Sequence, residues 1–63
     1  MKEFDIVEKV GVSDDCFCEA TKNAIKSVQK EKTIFWFEVV EQRGRITENN
    51  KSEFQVVVKI GCR

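Results

Sequence analysis

The chain has 63 residues, with 11 basic and 11 acidic side chains, three cysteines, and neither histidine nor proline. That length supports a single small domain, 1–63, and a core too modest to stabilise a lone monomer without help from a staple or from other subunits. The two signs of charge are interspersed and cancel, which leaves no electrostatic footprint for a nucleic acid or an anionic membrane, and no apolar run is long enough to span a bilayer.

Disulfides are a poor staple here. Cys16, Cys18 and Cys62 are an odd set, and Met1-Lys2-Glu3 opens directly in charged sequence, so a reduced cytoplasmic protein is expected. Three cysteines without a histidine also fall short of a structural zinc site, and no metal is expected. Oligomerisation is then the most economical source of stability.

In chain order, Phe4, Ile6 and Val10 alternate with polar residues and predict a first strand closing at Gly11, with Val7 on its outer face and Glu8 interrupting the apolar parity. Ser13 reads as a helix N-cap, with Asp14 and Asp15 in the first turn. Phe17, Ala20, Ala24 and Val28 recur at helical spacing, widened by Thr21 and Ile25, and lysines close the segment, so a helix is predicted over 14–31. The aromatic run Ile34-Phe35-Trp36-Phe37-Glu38-Val39-Val40 reads as a strand. Asn49-Asn50 suits a two-residue hairpin tip leading into a last strand, because Asn tolerates positive φ.

That tip would set Gly44 opposite Gln55, Val40 opposite Lys59 and Trp36 opposite Arg63. Phe35, Phe37 and Val39 then fall on the helix side with Phe54, Val56, Val58, Ile60 and Cys62, and Phe35 and Phe37 are expected to fill the core. Trp36, Glu38, Gln42, Gln55, Val57, Lys59 and Arg63 take the outer side. The expected fold class is α+β, in the order β-α-β-β, with a three-stranded antiparallel sheet packed on one helix.

Trp36, the only tryptophan, thus faces away from the core. It needs a flat partner: a neighbouring subunit, a ligand ring, or both. On the same face Gln55 offers both a donor and an acceptor, and Arg63 a fixed fork for a carbonyl, carboxylate or phosphate. By the expected register Trp36 and Gln55 lie about 26 Å apart, so any site that uses both requires more than one chain. Blander readings stand beside these. Trp36 can be an interface anchor alone, Gln55 an ordinary strand residue, and Arg43-Gly44-Arg45 a bend with two solvated arginines. The cysteines near the helix start read as inert, and no nucleophile with a base or carboxylate pair stands out, so catalysis is not expected. Periodicity alone gives a small oligomeric α+β protein with an aromatic interface.

Trp36-Phe37-Glu38-Val39, Arg43-Gly44, the turn from Ile46 to Lys51, Gln55-Val56 and Lys59-Ile60-Gly61 with Arg63 together resemble bacterial dodecins. Gly11-Val12-Ser13 resembles the segment that leads into the dodecin helix. The resemblance covers essentially the whole chain and rests on the joint order and spacing of these pieces. It implies a hollow dodecamer that stores, buffers and photoprotects a flavin, riboflavin or FMN, and that is no enzyme. FAD and coenzyme A are further ligands that it leaves open. It implies that Trp36 stacks on the isoalloxazine ring, that Gln55 hydrogen-bonds the ring's polar edge, and that Arg43 and Arg63 serve the ring edge and the ribityl or phosphate end. Strict alternation puts Arg43 on the helix side, so its part in the site requires a twist or bulge near Gly44. Phe35 stands where bacterial relatives often carry a polar residue, and Cys62 where they often carry phenylalanine. The competing expectation is a scaffolding oligomer, or a carrier of another planar ligand, in which Trp36 anchors the interface.

Overall fold

A computed structural model describes residues 3–63, so the first two residues of the expected domain lie outside it. Its elements are β1 (Asp5–Ser13), α1 (Phe17–Gln29), β2 (Ile34–Ile46) and β3 (Ser52–Cys62). The three strands form one antiparallel sheet in the order β1-β3-β2. The expected β-α-β-β architecture is therefore observed.

The helix forms where the apolar stripe recurs, and Ala20, Ala24 and Val28 are buried along it. It starts three residues later than expected. Cys16 caps it, accepting the Glu19 backbone N–H on Sγ at 3.3 Å, whereas the Ser13 hydroxyl accepts the Asp15 N–H at 2.9 Å in the turn before the helix. Its small-residue stripe packs on β1 and β3 and barely reaches β2. Val56, Val58, Ile60 and Cys62 of β3 are fully buried beneath it and form the core with the helix alanines. Each such Val or Ile contributes about 1.5–3 kcal/mol by burial. Phe17 and Phe54 close one end of this core edge-on, with ring centroids 5.0 Å apart.

The first strand differs most from expectation. It runs on to Ser13, and its faces are reversed: Val7 packs against the core, while Phe4, Ile6, Val10 and Val12 are exposed on the outer face. The cause lies in the close helix crossing. The helix comes so near that a Cβ on Gly11 would lie 1.8 Å from the Ala20 carbonyl oxygen. The face that fits beneath it carries Gly11 and Ser13, and the large apolar side chains are relegated to the other side. An uncovered apolar face of this kind marks a surface that a partner must cover.

The hairpin register also differs. Thr47 N–H donates to the Lys51 carbonyl at 2.8 Å, so three residues rather than two form the loop, with Asn50 in the left-handed region at φ 61°. From there Ile46 pairs with Ser52, Gly44 with Phe54 and Arg43 with Gln55. A bulge at Val40 then shifts the pairing by one, giving Val39 opposite Val58, Phe37 opposite Ile60 and Trp36 opposite Gly61. A second bulge at Phe35 leaves Ile34 opposite Cys62 and takes Phe35 out of the core position that alternation gave it, exposed against Phe4.

The loop and the first bulge each move the pairing by one residue, and together they restore parity for the Trp36 end. Trp36 remains on the outer face and Phe37 and Val39 on the helix side, as expected. Between the loop and the bulge the parity is inverted. Arg43 moves to the outer face and Gln42, expected outside, lies across from buried Val56. Phe37 and Val39 are nevertheless exposed, because the helix does not extend over β2.

Candidate functional site

The outer face carries two groups of residues at its two ends. At the first, Trp36 lies across Gly61, its partner on β3: a Cβ on Gly61 would stand 2.3 Å from both Nε1 and Cε2 of the indole. Gly61 is thus a seat, buried beneath the ring it supports. The Phe4 ring meets the indole edge-on at 6.3 Å and 88°, a favourable quadrupole arrangement. Trp36 is 37% exposed, which leaves indole surface free to meet a flat partner. Arg63 stands at the same end, its backbone bonded reciprocally to Thr33, N–H to O at 2.9 Å in each direction. Its guanidinium sits 5.8 Å from the Phe35 ring centroid.

Sequence reasoning missed Gly61 and Phe4 as parts of this end. Gly61 lies across from Trp36 only once both hairpin shifts are known. Phe4 had the apolar parity of a core residue.

At the second end, Gln55 faces Arg43 across the ladder and Val12 on its other side. Its Nε2 donates to Glu53 Oε1 at 3.1 Å, and Arg45 Nε donates to the same oxygen at 2.6 Å. Glu53 therefore orients the carboxamide and leaves its carbonyl oxygen pointing elsewhere for a donor. Arg43 pairs with Glu41. The bulge that Arg43 required does exist, at Val40 rather than at Gly44, and it is Arg43, not Gly44, that stands opposite Gln55.

The Glu53 carboxyl is held below its ordinary value of 4.5, first by the hydrogen bond from Arg45 and then by that from Gln55. A depressed carboxylate stabilises the fold above the unfolded-chain value and loses that contribution as pH falls through the lower folded value. Native protein is accordingly expected to melt slightly above Glu53→Gln at pH 7, with the difference shrinking as pH falls below the ordinary value of 4.5. Thermal scans between pH 7 and 3 check this, and a constant difference contradicts it.

Within one chain the two ends do not meet. Six residues of β3 separate Gly61 from Gln55, about 20 Å of extended strand. That is shorter than the sequence register suggests and still far beyond the width of a ring system. A separate cleft of about 470 Å³ opens between the helix start and the hairpin loop, lined by Asp14, Asp15, Asn23 and Lys51 among others, with no aromatic ring to stack on. No group of three or more His, Cys, Asp or Glu side chains that could hold a metal ion occurs among the described residues. No described helix is long and apolar enough to cross a membrane.

The dodecin family model matches residues 4–63. The chain belongs to the dodecin family. A dodecin from Thermus thermophilus is 38% identical over 63 residues, covering 98% of this chain and 91% of the relative. The fold agrees with a Thermus thermophilus protein of known crystal structure at a TM-score of 0.88 and 38% identity, over 100% of this chain and 94% of that one. A variant of the T. thermophilus dodecin with tryptophan replaced by phenylalanine matches at a TM-score of 0.89 and 36% identity, covering 100% and 96% of the two chains. As a dodecin, the chain is one of a group of small ligand-binding proteins.

The seat beneath the indole offers a direct test. Gly61→Ala is expected to keep the fold but push the ring off its support, since overpacking of this kind costs about 1–3 kcal/mol. Trp36 fluorescence, with no second tryptophan to obscure it, should shift toward the emission of a fully solvated indole. An unchanged spectrum would show that the ring does not depend on Gly61.

Proposed function

We propose that the protein binds flavin, riboflavin or FMN, at interfaces between copies of itself, and that it stores and shields the cofactor rather than using it in catalysis. The observation that carries this reading is the outward Trp36 ring seated on Gly61. Its complementary polar groups, Gln55 and Arg43, lie on the same face but at the other end of the same chain. A flat ring stacked on the indole of one subunit meets such groups only if another subunit supplies them. Family membership supports the same reading.

In this arrangement Trp36 stacks on the isoalloxazine ring. The Gln55 carboxamide hydrogen-bonds the ring's polar edge, with Glu53 and Arg45 fixing its orientation. Arg43 and Arg63 bind carbonyl or phosphate oxygens. Indole is also an electron donor, so stacking quenches the excited flavin and protects both molecules from its photochemistry. A ring enclosed between indoles has no open face for a substrate, which is why storage and not redox catalysis follows. The assembly is a homo-oligomer, a dodecamer by analogy with the family, that acts in the cytoplasm.

A second reading has its own support in the exposed apolar outer face, which Phe4, Ile6 and Val10 share with Trp36. There the tryptophan only joins subunits. Titrating riboflavin or FMN with purified protein separates the two: flavin fluorescence should be extinguished stoichiometrically. Undiminished fluorescence at micromolar flavin would leave the scaffold reading in its place.

A further inference from the structure

Phe35 is the extra residue of the bulge between the Ile34–Cys62 and Trp36–Gly61 pairs. In a regular strand, consecutive side chains point to opposite faces. Here the Phe4 ring meets Phe35 edge-on at 6.2 Å and Trp36 edge-on at 6.3 Å. The bulge has brought two consecutive aromatic rings within reach of one outer-face side chain. Phe35 is 52% exposed, so its position is not a demand of the core.

What the ring does hold is Arg63. The guanidinium lies 5.8 Å from the Phe35 centroid, within cation–π range. Reciprocal backbone bonds to Thr33 fix the Arg63 main chain, so the side chain is what remains to be directed. Arg43 and Arg45 are held differently, each by a carboxylate, from Glu41 and Glu53. Arg63 has no such carboxylate partner among the described residues. The contrast matters because a carboxylate orients a guanidinium and cancels its charge, whereas an aromatic face orients it and leaves the charge available to an anion.

We propose that Phe35 is a specificity-determining positioning residue: it holds Arg63 as an uncancelled cation at the same end of the sheet as the indole, so that the site favours a planar ligand with an anionic tail over the same ring with an uncharged tail. The inference rests on the flavin reading above and concerns which flavin the site prefers. Riboflavin and FMN are suitable probes, since they share the ring system and differ by one terminal phosphate.

The test compares native protein, Phe35→Leu and Phe35→Tyr in fluorescence titrations with both flavins. Native protein should bind FMN more tightly than riboflavin. Phe35→Leu should lower that affinity ratio by about three- to fivefold, the size of an exposed cation–π contact, while riboflavin affinity changes less than about twofold. Phe35→Tyr keeps an aromatic face and should restore the ratio. Raising the salt should narrow the native ratio toward that of Phe35→Leu. If both flavins bind and the ratio is the same in native and Phe35→Leu protein, the proposal is overturned and the flavin reading stands. Equal losses for both flavins in Phe35→Leu also overturn it, because Phe35 then only supports Trp36. Failure of native protein to bind either flavin overturns both readings.

Discussion

Trp36→Ala is expected to weaken flavin binding by at least about 30-fold and to restore most of the flavin fluorescence that native protein extinguishes. The estimate comes from the geometry of stacking. A favourable aromatic pair contributes about 0.5–1.5 kcal/mol beyond buried area, and the apolar area lost with the indole adds about as much again, so about 2 kcal/mol is at stake. At 1.4 kcal/mol per tenfold, that is a factor of about 30. Trp36→Phe should fall between, since a phenyl ring stacks over less area and is a poorer electron donor. Size-exclusion chromatography of the same variants decides what else the residue does. An intact oligomer that has lost flavin supports the ligand platform. Dissociation with the loss of Trp36 identifies an assembly anchor, and unchanged flavin affinity in Trp36→Ala would remove the residue from the site altogether.

The outward placement of Trp36 was legible from parity, because alternation sends it to the face opposite Phe37 and Val39, but the same alternation misplaced Phe35, which the bulge brings beside Phe4. The helix stripe of Ala20, Ala24 and Val28 was legible for the same reason, as a period that only a helix satisfies. What could not be read were features decided by tertiary fit. The alternation in β1 was real, yet its larger residues face outward, because the helix crosses too close for them. A hydrophobic period identifies a face but not which side of the sheet that face covers. In a subunit built for assembly both faces are apolar.

The position of Arg43 shows a second limit. A loop one residue longer and a bulge at Val40 each invert parity, and their sum returns Trp36 to where simple alternation had put it. The Trp36 end was therefore read correctly from a register that was wrong, while the stretch between loop and bulge was inverted. No local residue preference marks Val40 as the bulge. It is an adjustment between two strands of unequal content, which a single strand's sequence does not carry. The cap was missed for a related reason: Ser13 has the better capping chemistry, but its backbone is still paired in β1, opposite Phe54, and the helix starts from Cys16.

The helix crossing over β1 makes Gly11 the position least able to change. No glycine in the described chain has positive φ, so its need for glycine is one of space and not of backbone conformation. The Cβ of an alanine there would lie 1.8 Å from the Ala20 oxygen and 2.9 Å from its carbon, both in the helix backbone, and 3.0 Å from the Ala24 Cβ. None of these is the end of a flexible side chain. The helix would have to lift by more than an ångström along its buried stripe and so loosen the contacts of Val56, Val58 and Ile60 together.

Overpacking ordinarily costs about 1–3 kcal/mol, and a clash with backbone belongs at or above the top of that range. Against a total near 3–9 kcal/mol for a domain of this length, Gly11→Ala should remove a large part of the stability, lowering Tm by roughly 15 °C or more. Gly44→Ala is the matched control, because its Cβ would meet only the Glu53 carbonyl oxygen at 3.3 Å. Thermal unfolding of both variants at equal protomer concentration makes the comparison, since assembly ties Tm to concentration. Should Gly11→Ala melt within a few degrees of Gly44→Ala, the close helix crossing would not be what forces the apolar face of β1 outward. The apolar outer surface would then need another origin than the packing of a small helix.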